Sequence, residues 1–189
     1  MYKVLAAVLA VLLLAAPMAL AAGDGAMLKV GGPFPSAEFQ APEDAGQRAY
    51  LGLKPGDGLD PAKVDAALVI VEVLNIYCPH CQRQAPRVNA LYELIQEKGW
   101  GSKIKMVGIG ASNTGEEVEG YVRHYKVPFP VVPDYKVKCA EILGAVYTPY
   151  FVAIQRLPGG GNRVLYAASG ELPPGKQFLG DMAAQAGIK

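Results

Sequence analysis

The sequence predicts an α/β fold, and three stretches carry that prediction. An apolar run from Ala67 to Ile76 leads through a tight turn into an amphipathic helix from about Pro79 to Lys98. A second strand and helix repeat the alternation, at Lys105 to Ile109 and at Thr114 to Tyr125. Two later strands, Tyr150 to Ile154 and Arg163 to Ala168, flank the turn Pro158-Gly159-Gly160-Gly161-Asn162, so the second returns antiparallel to the first.

The run Ala67 to Ile76 is rich in β-branched residues (Val69, Ile70, Val71, Val73) and lacks polar alternation, as in a strand covered on both faces. Glu72 interrupts it. A carboxylate at a strand edge reaches solvent, whereas one inside so apolar a run is buried, and burial raises its pKa. In the following helix, Pro79 suits the first position, which has no intrahelical use for an N–H. Ala85, Val88, Leu91, Leu94 and Ile95 recur at spacings of three and four, and Gly99 is a natural stop. Arg83 and Arg87 fall on the wet face. Met106, Val107 and Ile109 mark the second strand. Thr114 with Glu117 three residues on forms a capping box for the next helix, and His124 near its end reads as an ordinary surface histidine.

Lys136 to Leu143 makes a brief helix carrying Cys139. That cysteine reads either as a resolving or regulatory thiol or as a small buried hydrophobe, and the second is the expectation. A helix from about Pro174 to Ala186 closes the chain. Upstream, Gly31 to Gly58 is rich in Gly and Pro, with strand-like pieces such as Ser36 to Gln40 and a turn at Pro55-Gly56-Asp57-Gly58. Asp60-Pro61 is expected to open a short helical turn running to Asp65.

The chemistry centres on Cys78 and Cys81, which fall on the first turn of a helix. Unpaired N–H groups and the positive end of the helix dipole favour a thiolate there, so Cys78 is expected to be acidic and nucleophilic. His80 between them can add a donor or a positive charge. A structural zinc site needs four ligands, and the rest of the chain offers only Cys139, His80 and His124, with no second close pair. The reading is therefore redox chemistry with no metal site. Lysine and arginine number 18 against 17 acids, and no basic patch interleaves with aromatics, which argues against a nucleic-acid partner. Three cysteines are too few for a disulfide scaffold.

Residues 1–21 look like an export signal: Lys3 supplies a basic start, Val4 to Ala16 is apolar, and Ala19-Leu20-Ala21 fits a small-x-small cleavage site. The apolar stretch is short for a membrane span, and an uncleaved anchor is the alternative. No cysteine lies near the cleavage point, which excludes a lipoprotein anchor. The expected organisation is a signal peptide followed by one domain at 22–189, exported to the periplasm or an equivalent extracytoplasmic space, with membrane contact only if the signal stays attached.

Cys78-Pro79-His80-Cys81 resembles the active-site tetrapeptide of DsbA-type oxidants within the thioredoxin superfamily. Glu72, six residues before Cys78, matches the buried acid of thioredoxins and DsbA-like proteins, and Pro86 matches the proline of the thioredoxin active-site helix. Thr148-Pro149, just before the strand at Tyr150, resembles the superfamily's cis-proline loop. Val30-Gly31-Gly32-Pro33-Phe34-Pro35 resembles the opening of redoxins of the TlpA/ResA type, and Val127 to Asp134 their short strand after the crossover helix. Pro149 follows Cys81 by 68 residues, more than a minimal thioredoxin needs and too few for DsbA's inserted helical domain. The resemblance is thus to a TlpA/ResA-like redoxin body with a DsbA-like tetrapeptide. It implies a thioredoxin-like fold: a central mixed β-sheet flanked by helices, with a redoxin-type N-terminal extension and a crossover insertion.

The resemblance further implies a thiol–disulfide oxidoreductase with no cofactor beyond a redox-active Cys78–Cys81 disulfide. Cys78 attacks, Cys81 resolves, Glu72 manages the proton of Cys81, and His80 and Pro79 tune Cys78. Thr148 and Pro149 align an extended substrate, and Tyr77 stands where related proteins carry a tryptophan, as an aromatic cover. The implied partners are protein thiols or disulfides, with apocytochrome c as one such client, and a further redox partner; the chain is expected to act as a monomer. Pro79 and His80 push towards donating disulfides and the redoxin body towards reduction, which leaves the direction open with reduction favoured. A peroxiredoxin-type peroxidase needs a threonine or serine and a proline where Asn75 and Val71 stand. A Sco-like copper-delivery module has only His124 as a distant ligand.

Overall fold

Seven consecutive residues of strand β1 (Leu68–Leu74) are buried, which makes it the centre of the sheet in the computed structural model. The structure describes residues 28–144 and 147–189, so the expected export signal lies outside the described residues. In chain order, α1 (Ala45–Tyr50) precedes β1, which is followed by α2 (Pro79–Glu97), β2 (Ile104–Ala111), α3 (Gly115–Tyr125) and β3 (Val131–Asp134). Then come α4 (Lys138–Leu143), the hairpin β4 (Tyr150–Arg156) and β5 (Asn162–Ser169), and α5 (Gly175–Gln185). The strands lie in the order β3-β2-β1-β4-β5. β1 runs parallel to β2 and antiparallel to β4, so the sheet is mixed.

Alternation along β1 divides the core in two. Leu68, Ile70 and Leu74 face a cluster with Cys81, Ala85, Val88 and Leu91 of α2, Val118 and Tyr121 of α3, and Phe178 and Leu179 of α5. Val69, Val71 and Val73 face the opposite cluster, filled by Phe34, Phe39, Leu51 and Leu59 of the N-terminal extension and by Cys139 and Leu143 of α4. The extension therefore roofs the sheet face that the crossover helices leave bare. Asp60 anchors it: this buried carboxylate accepts from the Ser36 hydroxyl and the amides of Ala37 and Ala62, and pairs with Lys63 at 3.0 Å.

Three local expectations change. Ser36 to Gln40 forms no strand; Phe39 makes a single bridge with Leu59, because these residues are held by burying Phe34, Ala37 and Phe39. Residues 60–65 form turns rather than a helical turn, since the Asp60 side chain captures the Ala62 amide in a local loop that competes with helix. The helix α1 was not expected in this Gly- and Pro-rich region. Asp44 caps it, accepting from the Gln47 amide at 2.8 Å. Asp44 followed three residues later by Gln47 was the available signal.

Candidate active site

β1 ends at Leu74, and Asn75 to Tyr77 carry the chain to Cys78, the N-cap of α2, with Pro79 at the first helical position. Each step of this short loop is pinned. The Asn75 side chain donates to the Ala111 carbonyl at 2.8 Å and accepts from the Tyr77 amide at 2.9 Å. The Ile76 amide donates to Asn113 Oδ1 at 3.1 Å, and Gln82 Nε2 donates to the Ile76 carbonyl at 2.9 Å. Cys78 is therefore delivered by a loop locked to the end of β2.

The two sulfurs have opposite environments. Cys78 is half-buried, and its Sγ lies 3.3 Å from the Thr148 carbonyl oxygen, to which it donates. Partial burial pushes its thiol up, but hydrogen bonds from the Cys81 and His80 amides and the Thr148 side chain outweigh that and leave it below its ordinary value. Cys81 is fully buried, and desolvation pushes its thiol up to about 12 despite the Asn75 amide beside it. Both cysteines are free thiols in this structure. The Thr148–Pro149 peptide is cis, and the Pro149 carbonyl accepts from the Gly170 amide at 2.8 Å.

Glu72 shares the sheet face of Ile70 and Leu74, the face that Cys81 also packs on. It sits between Gly108 and Phe151 of the neighbouring strands, only 3% exposed. Desolvation pushes its carboxyl up to about 8, and one of its oxygens, Oε1, has no hydrogen-bond partner among the described residues. Sequence reasoning did not find Tyr121. Its buried hydroxyl donates to the Cys81 carbonyl at 3.3 Å, and burial, then the charges of Glu72 and Cys81, push its phenol upward. Its spacing of three from Val118 marks a core position, but no local pattern in the sequence shows which helix its hydroxyl meets.

Two expected roles change with the geometry. His80 is exposed, and its ring Nδ1 lies 3.0 Å from Arg83 Nη2. A guanidinium only donates, so Nδ1 accepts, and the part of His80 that reaches Cys78 is its backbone N–H. Tyr77 does not cover the cysteines. It is 67% exposed, and its hydroxyl donates to Glu117 Oε1 of α3 at 2.5 Å. That bond raises the Tyr77 phenol and lowers the Glu117 carboxyl.

The remaining polar candidates lie apart from this centre. Cys139 is buried on the far face of the sheet, and burial, then hydrogen bonding to Asp134, pushes its thiol up. His124 is exposed and stands edge-on to Tyr125. Arg87 bonds Glu171 and the Leu172 carbonyl, while Arg83 stays exposed. Among the described residues, no group of three or more His, Cys, Asp or Glu is placed to hold a metal, and no helix is long and apolar enough to cross a membrane.

A strand that delivers two cysteines to a helix mouth against a cis-proline loop, on a β3-β2-β1-β4-β5 sheet, is a thioredoxin-like fold. Solved structures agree. The chain matches a putative thiol:disulfide interchange protein DsbE from Chlorobium tepidum with TM-score 0.59 and 16% identity, covering 84% of this chain and 98% of that one. It matches StoA from Bacillus subtilis with TM-score 0.56 and 14% identity, covering 78% and 96%. Among curated proteins, it is 23% identical over 99 residues to the thiol-disulfide oxidoreductase ResA of Halalkalibacterium halodurans, covering 52% of this chain and 54% of that protein. A ResA of Bacillus cereus is 29% identical over 76 residues, 40% of each chain. The chain thus spans about half the length or less of the curated relatives it matches. No protein-family model matches it.

Proposed function

We propose that this chain is an exported thiol–disulfide oxidoreductase that exchanges disulfides with partner proteins through Cys78 and Cys81. The observation that supports it most is the contrast between the two sulfurs: Cys78 is half-buried with a lowered thiol, and Cys81 behind it is fully buried with a raised one. The first is built to attack and the second to wait.

In the reducing direction, the Cys78 thiolate attacks one sulfur of a client disulfide. The client S–S bond breaks as the Cys78–client bond forms, and the departing client sulfur takes a proton from solvent. Cys81 then loses its proton and attacks the Cys78 sulfur, releasing the second client thiolate. Two electrons pass to the client, and the Cys78–Cys81 disulfide remains; the reverse sequence oxidises a client dithiol. Glu72, held near pH 8, acts as the base that takes the proton of Cys81 and the acid that returns it. Thr148 and Pro149 line the groove for an extended client segment, whose backbone pairs with that of Thr148, because proline's missing N–H leaves the preceding residue's groups free to pair outward. Clients are protein cysteines on the outer side of the cytoplasmic membrane, apocytochrome c thiols among them. Residues 1–21 act as the export signal.

The test is equilibration in mixtures of reduced and oxidised glutathione, with the Cys78–Cys81 pair quantified by acid trapping and mass spectrometry. A single two-electron transition is expected. A potential below the glutathione couple assigns the chain to the reducing side and one above it to disulfide donation, whereas failure of the pair to join reversibly sinks the reading.

A further inference from the structure

Tyr77 stands immediately before the attacking cysteine, and its placement is decided 40 residues away. The hydrogen bonds at Asn75, Ile76 and Gln82 and the Tyr77 amide fix the main chain of the loop. They leave the ring of Tyr77 free to turn about its own side-chain bonds. Among the described residues, its hydroxyl has Glu117 as its one hydrogen-bond partner. Glu117 is itself immobilised, because its other oxygen, Oε2, accepts from the Thr114 amide at 2.8 Å in the capping box of α3. One carboxylate thus caps a helix with one oxygen and holds an exposed aromatic ring with the other.

The location of the ring matters for bulky partners. The mouth of the site lies between Cys78 Sγ and the Thr148 carbonyl, 3.3 Å apart, and Tyr147, 79% exposed, directly precedes Thr148 in the chain. A Tyr77 ring held towards α3 by Glu117 leaves that mouth open. A released ring sweeps across the mouth, where it blocks an extended polypeptide more than a small disulfide.

We propose that Glu117 is a positioning residue that parks Tyr77 against α3 and so makes Cys78 selective for protein disulfides over small ones. The inference rests on the oxidoreductase reading above. The bond is exposed, so it shifts the population of the parked ring by about fivefold, the net effect of one hydrogen bond to a charged acceptor at a wet site.

The experiment compares rates of Cys78 attack on a protein disulfide (insulin) and on oxidised glutathione in full-length wild type, Tyr77→Phe, Glu117→Ala and Glu117→Gln. The readout is the ratio of the two rates, because general damage to the fold lowers both and leaves the ratio alone. Tyr77→Phe and Glu117→Ala are expected to lower the protein-to-glutathione ratio by about fivefold. Glu117→Gln is expected to keep it, since the amide oxygen can still cap Thr114 while the amide nitrogen donates to the Tyr77 oxygen. Tyr77→Phe leaves the capping box intact, so its result does not depend on the stability of α3. A wild-type ratio in Tyr77→Phe overturns the inference while the oxidoreductase reading stands. Absence of exchange with either substrate in wild type overturns both.

Discussion

The Sγ of Cys78 lies 3.3 Å from the carbonyl oxygen of Thr148, a contact between residues 70 apart in sequence. It brings the mouth of α2 against the loop before β4 and fixes which thiol a partner meets first.

Alkylation should therefore separate the three thiols by pH. Reaction of native protein with iodoacetamide, followed by mass spectrometry, is expected to modify Cys78 first, with an inflection below the ordinary thiol range. Cys81, pushed up to about 12 by burial, and Cys139, also raised and buried, should stay unmodified near neutral pH until the protein unfolds. Early labelling of Cys139 would contradict the placement of α4 against the sheet.

Glu72 links catalysis to stability. Its folded value of about 8 lies above its ordinary value of 4.5, so the folded protein holds this proton more tightly than the unfolded chain. Stability from this group is complete below the ordinary value and is lost as pH rises through about 8. Glu72→Gln keeps the shape without the proton. Urea titrations should show the variant gaining on wild type between pH 6 and 9, by an amount on the order of a few kcal/mol at the upper end. The same variant should resolve mixed disulfides at least tenfold more slowly if the carboxyl handles the proton of Cys81. Parallel stability curves for the two proteins would refute its burial as an ionisable group.

Asp60 gives the opposite slope. Burial pushes its carboxyl up, but Ser36, Lys63 and the amides of Ala62 and Ala37 outweigh that and hold it below its ordinary value. Its contribution is present above the ordinary carboxylate range and is lost as pH falls through the lowered value. Asp60→Asn is expected to cost about 2 kcal/mol at pH 7 and to flatten the acid limb of the stability profile. A loss confined to the N-terminal extension should also appear as faster hydrogen exchange at the Leu59 amide, which donates to Phe39.

Much of this arrangement was legible because it is written in local patterns. The unbroken apolar run of β1 specified a central strand, and it also placed Glu72 in the core, since a single acid inside such a run has no wet face to reach. The Thr114–Glu117 box marked the start of α3 because its two partners are three residues apart. Features decided by distant partners were not legible. Tyr77 turns to Glu117 and Tyr121 to the Cys81 carbonyl, each 40 residues away in the chain. Exposed side chains at a helix mouth have several rotamers open to them, and the neighbour that selects one appears only after folding. The helix α1 was missed because six residues are too few to display a helical period.

Three thiols in one chain allow three intramolecular couplings, and only one is useful here. The β-sheet rules out the other two by lying between Cys139 and the reactive pair, as an insulating layer rather than as a support. That insulation exists only after β1 has been threaded between its neighbours. A newly made or denatured chain has no such barrier, so oxidation before folding is the step at which Cys139 can capture the wrong sulfur, and recovery of active protein should be highest when the chain folds reduced and is oxidised afterwards.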